Sequence, residues 1–327
     1  MENKEIVQKE YDLSHLIVEA APHQRSAVSI QRIMLDVIIA LVPALIVSVY
    51  EFGMRSLVLV LAAVAACVLS EYCYQKIMKQ PSTISDLSAV VTGILLAFNV
   101  PVTLPIPMII IGSVFSIIIV KQLFGGIGSN FMNPALAGRA FIMASWAQAM
   151  SNYTAPLTQK AVDAETYATV LSGGQPVSFM DAFLGNLGGT IGEVSALALL
   201  IGVAYLLYRR VINLRIPLVY IATTFVTLLI CGVGIQDACM NIFIGGLILG
   251  AFYMATDYST SPVTPKGQII FAIGCGFFTA IIRQFGNLPE GVSYAIIFMN
   301  CAVPFIDQYT VPTPIGRGGK QGIWEVQ

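Results

Sequence analysis

Two asparagines, two carboxylates and a run of hydroxyls stand out in a chain that is otherwise mostly apolar. The stretch KQLFGGIGSNFMNPALAG (121–138) places Asn130 and Asn133 after a glycine-rich turn and just before Pro134. An Asn amide offers two donors and an acceptor, enough to fix the edge of a flat polar ring. The plainer role for either residue is to cap the helix that Pro134 opens. Glu71 and Asp257 adjoin apolar runs. Ionisable side chains in such places are candidates for an ion route, as ligands for Na⁺ or relays for H⁺. The stretch AVDAETYATVL (161–171) presents Thr166 and Thr169 on a polar segment between long apolar runs. A Thr hydroxyl is a weak nucleophile, so a covalent group there needs an enzyme to attach it.

The elements that position these residues are set by composition. The 327 residues are 56% apolar and 11% charged, against roughly 25% charged in a soluble domain. The mean hydropathy is +0.78. This is the signature of an integral membrane protein. A net charge of −1 with no basic block gives no sign of nucleic-acid binding. The six cysteines, at 67, 73, 231, 239, 275 and 301, form no CxxC pair and read as small buried side chains rather than a metal site. No G-x-G-x-x-G follows a strand and no Cys₄ cluster spacing occurs, so neither a nicotinamide site nor an iron–sulfur centre is expected on this chain.

Ten apolar segments follow, at 33–52, 57–74, 87–100, 106–120, 134–150, 190–208, 216–234, 238–256, 267–285 and 291–306. They are continuously apolar rather than alternating, which predicts about ten transmembrane helices in an all-α fold, not a barrel. Segment 87–100 is short and reads as a half-helix, a common marker of binding sites in membranes. With the N-terminus inside, 14 of the 17 lysines and arginines fall on the cytoplasmic side, and only Arg55, Lys160 and Arg283 fall outside. The resulting plan is a cytoplasmic segment (1–32), a first membrane half (33–150), an extracytoplasmic loop (151–189), a second membrane half (190–307) and a cytoplasmic tail (308–327). GILLAF (93–98) resembles GLILGAF (246–252), and KQLFG (121–125) resembles RQFG (283–286), in the same order. Five segments per half would make this an inverted repeat. Asp36, Glu71, Asp86, Arg139, Asp257 and Asp307 all fall near cytoplasmic segment ends, where snorkelling or end-capping is the expected role. Thr190 and Glu193 have capping-box spacing at the start of the sixth segment.

Four stretches, PHQRSAVSIQRIMLDVIIALVPAL (22–45), KQLFGGIGSNFMNPALAG (121–138), LGNLGGTIGEVSAL (184–197) and FYMATDYSTSPVTPKGQ (252–268), occur in the order found in one family. Together they resemble the D subunit of the Rnf complex, an ion-translocating ferredoxin:NAD⁺ oxidoreductase related to the B subunit of the Na⁺-pumping NADH:quinone reductase. The resemblance implies a membrane flavoprotein subunit coupling electron transfer to Na⁺ or H⁺ movement in a bacterial or archaeal cell membrane. Its partners would be the other Rnf subunits, a flavin transferase and lipid. It further implies FMN joined to Thr169 by a phosphoester, and a non-covalent riboflavin near the cytoplasmic side touching Asn133 and, less directly, Asn130. No residue is given a catalytic role. At the attachment motif Thr-Tyr-Ala-Thr-Val (166–170) stands where the family shows Ser-Gly-Ala-Thr-Pro, which puts bulk at Tyr167 beside the acceptor. A secondary transporter or channel with inverted repeats fits the same helix pattern, but requires no flavin.

Overall fold

The computed structural model describes residues 29–153, 179–184, 188–193, 195–286 and 291–312. Every one of the ten apolar segments contains a helix. The first half holds α1 (Ile30–Phe52), α2 (Met54–Ile77), α3 (Ser88–Phe98), α4 (Ile106–Phe124), α5 (Pro134–Ser145) and a turn, α6 (Ala147–Met150). After α7 (Phe179–Leu184), the second half holds α8 (Ala196–Tyr208), α9 (Arg215–Ile230), α10 (Ile235–Phe243), α11 (Leu247–Met254), α12 (Pro265–Phe285) and α13 (Gly291–Thr310). Among the described residues, α1, α2, α4 and α12 are long and apolar enough to cross a membrane singly. The α10–α11 pair makes a fifth span if it is read as one helix bent by 62°. This is a multi-pass membrane protein.

One sequence reading of a helix end changes. The sixth segment becomes helical at Ala196, not Thr190, because Ser195 supplies the cap by accepting from Ala198 N. Thr190 instead pairs with Pro101 in an isolated antiparallel bridge. Pro265 opens α12: Thr264 caps it, and a proline at the first position forfeits no hydrogen bond.

The short third helix creates the main physical problem. Helix α3 has 11 residues, roughly half a membrane crossing. The chain from 98 to 103 therefore runs as irregular backbone inside the bundle, where an unpaired carbonyl costs heavily. Each of these carbonyls has a donor. Phe98 O accepts from Gly192 N (2.8 Å), and Val100 O from Ile191 N (3.0 Å). Asn99 O accepts from Arg139 Nε (2.9 Å). Pro101 O accepts from Leu104 N (3.1 Å). Arg55 takes the last two, Val102 O at 2.8 Å and Thr103 O at 3.2 Å.

The break in the second half is closed by similar means. Gly245 and Gly246 adopt φ of 69° and 72°, a left-handed conformation suited to glycine, and turn α10 into α11. Arg283, from the end of α12, donates to Asn241 O (2.6 Å), Ile244 O (3.0 Å) and Gly245 O (2.8 Å). A side chain at 246 would collide with the carboxylate of Glu193.

The halves meet through antiparallel helix pairs. On α1 and α8, Asp36 meets Tyr205 and Arg209 while Ala40 meets Gly202, whose missing side chain lets the backbones touch. On α5 and α13, Asn133 meets Asn300 and Arg139 meets Ser293. At the C-terminal ends of the two short helices, Asn99 Nδ2 lies 3.7 Å from Met254 Sδ.

Candidate functional site

An open-mouthed cavity lies where α1 and α5 begin and α8 ends. Its walls are mainly apolar: Ile33, Met34 and Val37 from α1, Leu95 from α3, Leu206 from α8, and Phe252 from α11. The polar groups are few, and most are already fixed. Tyr253 Oη donates to Leu199 O (2.8 Å), Tyr258 Oη to Val211 O, and Thr256 Oγ1 to Phe252 O (2.7 Å). The first two bonds tie α11 and the segment after it to α8 and the loop that follows α8. Beside the cavity, Asp36 accepts from Tyr205 Oη (2.8 Å) and pairs with Arg209 (3.2 Å), clamping α1 to α8.

Asn133 combines the two roles that its sequence position allows. Its Oδ1 caps α5, accepting from Ala135 N (3.0 Å) and Leu136 N (3.3 Å). Its side chain also lines the cavity, and among the described residues its amide protons have no acceptor. Asn130 is placed differently. It donates to Met132 O at 3.1 Å, shaping its own loop, and does not line the cavity.

Asp257 lines the same cavity. Its Oδ2 accepts from Ser259 Oγ (2.9 Å) and Thr260 Oγ1 (3.1 Å). Burial pushes its carboxyl above the ordinary range, and the hydroxyl bonds offset this in part. Among the described residues no cation pairs with it. Sequence reasoning singled out Asp257 but passed over Phe252, Tyr253, Thr256 and Tyr258 in the same stretch. The clustering of aromatic and hydroxyl residues at 252–260 was the available signal.

Glu71 lies elsewhere and is fully buried. Lys121 Nζ contacts its Oε2 at 2.7 Å and also donates to Ser88 Oγ at 2.6 Å, at the start of α3. Thr83 Oγ1 (2.8 Å) and Gln75 Nε2 (3.3 Å) donate to Oε1. The expected snorkelling does not occur at Asp36, Glu71 or Arg139, which are buried and bonded inside the bundle. The irregular backbone and the helix contacts need those charges more than the membrane surface does. The segment with Asp163, Thr166, Tyr167, Thr169 and Val170 lies outside the described residues.

The α1 wall of the cavity, the Asn133 cap and the 252–260 segment fall in stretches that set this sequence apart. A sequence profile of the NQR2, RnfD, RnfE family matches residues 17–316. The chain belongs to this family. It is 50% identical over 301 residues to the D subunit of the Na⁺-translocating ferredoxin:NAD⁺ oxidoreductase complex of Acetobacterium woodii, covering 90% of this chain and 94% of that one. It is 40% identical over 317 residues to the proton-translocating counterpart of Clostridium ljungdahlii, covering 91% and 96%. It is 35% identical over 305 residues to the D subunit of the ion-translocating oxidoreductase complex of Methanosarcina acetivorans, covering 93% and 98%. Within the NQR2, RnfD, RnfE family, the chain thus aligns with D subunits over nearly their whole length.

Proposed function

We propose that this chain is the D subunit of an ion-translocating ferredoxin:NAD⁺ oxidoreductase, carrying electrons through a covalent FMN on Thr169 and a riboflavin in the cavity. The observation that carries the reading is the cavity beside Asn133. A flat tricyclic flavin needs an apolar surface to lie against and a few aimed polar groups. The cavity offers Phe252, Leu95 and Met34 as apolar walls, with the Asn133 amide and Asp257 as polar contacts. When bound, the flavin supplies one- and two-electron chemistry. The residues of the chain hold and orient it, and the apolar walls limit water. Ferredoxin and NAD⁺ would bind partner subunits, and a flavin transferase would load Thr169.

Ten membrane-crossing segments in an inverted five-plus-five repeat form part of this proposal. Three features support it: the antiparallel pairing of α1 with α8, that of α5 with α13, and the corresponding positions of Lys121 and Arg283. Each cation sits at the end of the fourth apolar segment of its half and ties down the start or break of the third. Both termini would be cytoplasmic and residues 151–189 extracytoplasmic, and Glu71 and Asp257 stand as candidates for the ion route. The relatives at 50% and 40% identity are named for different ions, so Na⁺ and H⁺ both fit.

The test is to count flavins on the purified full-length chain before and after denaturation. One flavin should stay with the polypeptide, and one should be released as riboflavin. A colourless protein isolated with an active transferase would favour the transporter reading instead.

A further inference from the structure

Asp257 differs from the buried carboxylates Glu71 and Asp36. Glu71 is neutralised by Lys121 and Asp36 by Arg209. Among the described residues Asp257 has no cation: the hydroxyls of Ser259 and Thr260 both reach Oδ2, and the Ser259 backbone adds a hydrogen bond. It faces the cavity and is half-buried, so water at the mouth can reach it. The other titratable groups around the cavity are committed. Tyr253 and Tyr258 donate to main-chain carbonyls. Asp36, Tyr205 and Arg209 bind one another at the α1–α8 contact. On α13, Asp307 accepts from Val263 N. Helices α3 and α5 bring only Leu95 and Asn133 to the cavity.

We infer that Asp257 takes up a proton when the occupant of the cavity gains an electron, which makes the occupant's electron affinity depend on pH. The inference rests on the reading that the cavity holds a flavin. The balance is one electron from a partner's one-electron carrier and one proton from water at the mouth, landing on the Asp257 carboxylate. The proton bond in water breaks, the carboxyl O–H forms, and the net charge of the cavity is unchanged. The physical cause is Coulombic. An added negative charge beside an unpaired carboxylate in a poorly hydrated site raises its proton affinity. Burial already holds its proton affinity above the ordinary range.

The sign follows from the same interaction. Ionised Asp257 disfavours electron arrival, so Asp257→Asn should raise the midpoint potential of the released-on-denaturation flavin at high pH. As pH falls through the carboxyl's raised pKa, the wild type becomes neutral there and the two potentials should converge. The experiment is an optical redox titration of the full-length chain, wild type and Asp257→Asn, across a pH series at fixed Na⁺. A gap that widens with pH supports the inference. Potentials that stay parallel at every pH overturn it while leaving the flavin reading intact. A gap that follows Na⁺ concentration rather than pH also overturns it. If no riboflavin is released from the wild type, both fall together. Should the Asn variant not fold or not hold flavin, redox-difference infrared spectra of the wild type decide. A protonated-carboxyl band that appears on reduction and shifts in Asp257→Glu supports the inference, and its absence overturns it.

Discussion

Removing Lys121 should cost this protein more than removing Lys121 together with Glu71. Lys121 Nζ lies 2.7 Å from Glu71 Oε2 and 2.6 Å from Ser88 Oγ, with both charged side chains almost wholly buried. Lys121→Met leaves a carboxylate at zero exposure with only Thr83 and Gln75 as donors. Breaking a buried pair from one side costs about 3–5 kcal/mol. In melting temperature that is a drop of roughly 6–20 °C, using about 2–4 °C per kcal/mol. In Lys121→Met/Glu71→Gln the uncompensated charge is gone, and the Gln carbonyl can still accept from Thr83. The double variant should therefore recover part of the loss, with a coupling of roughly 0.5–3 kcal/mol. Apparent melting of purified protein in detergent at one scan rate ranks the three variants, which is the proper comparison if unfolding is irreversible. A double variant that melts below Lys121→Met would refute this reading of the pair, as would a Lys121→Met that melts within about 2 °C of wild type.

Further outcomes follow from the site and the helix breaks. Asn133→Ser keeps a helix-capping oxygen but removes the amide protons, so melting should change by less than about 1 kcal/mol, while retention of the released flavin falls; flavin content and melting on the same sample check both. Gly246→Ala forces a side chain into left-handed backbone and against Glu193, and should cost about 1–2 kcal/mol or more, read as a lower melting temperature. Arg55→Gln strands the carbonyls of Val102 and Thr103, each worth about 1–3 kcal/mol if left dry, and faster proteolysis near the end of α3 should report it.

The sequence made much of this legible, and the reasons differ by element. Apolar runs located a helix in each of the ten segments because membrane helices must hide their backbone within one continuous stretch. The shortness of α3 was readable from Asp86 and Pro101. The break in α10–α11 was not, since a glycine pair in an apolar run fits a straight helix equally well until Arg283 is seen bonding to its carbonyls. The roles of Arg55, Arg139 and Arg283 were hidden for the same reason: each serves backbone groups 38–48 residues away. Asn133 was legible as both cap and ligand candidate. That it lines one cavity with Asp257 was not, because α5 and the segment after α11 come together only through the packing of the two halves.

Whether this chain carries flavin is tested most directly at Thr169. The full-length chain is expressed with an active flavin transferase, run on a denaturing gel and viewed for flavin fluorescence beside Thr169→Val and Thr166→Val. A flavin-bearing chain gives a fluorescent wild-type band that survives in Thr166→Val and is lost in Thr169→Val. A dark wild-type band, or one that persists in Thr169→Val, would contradict the assignment.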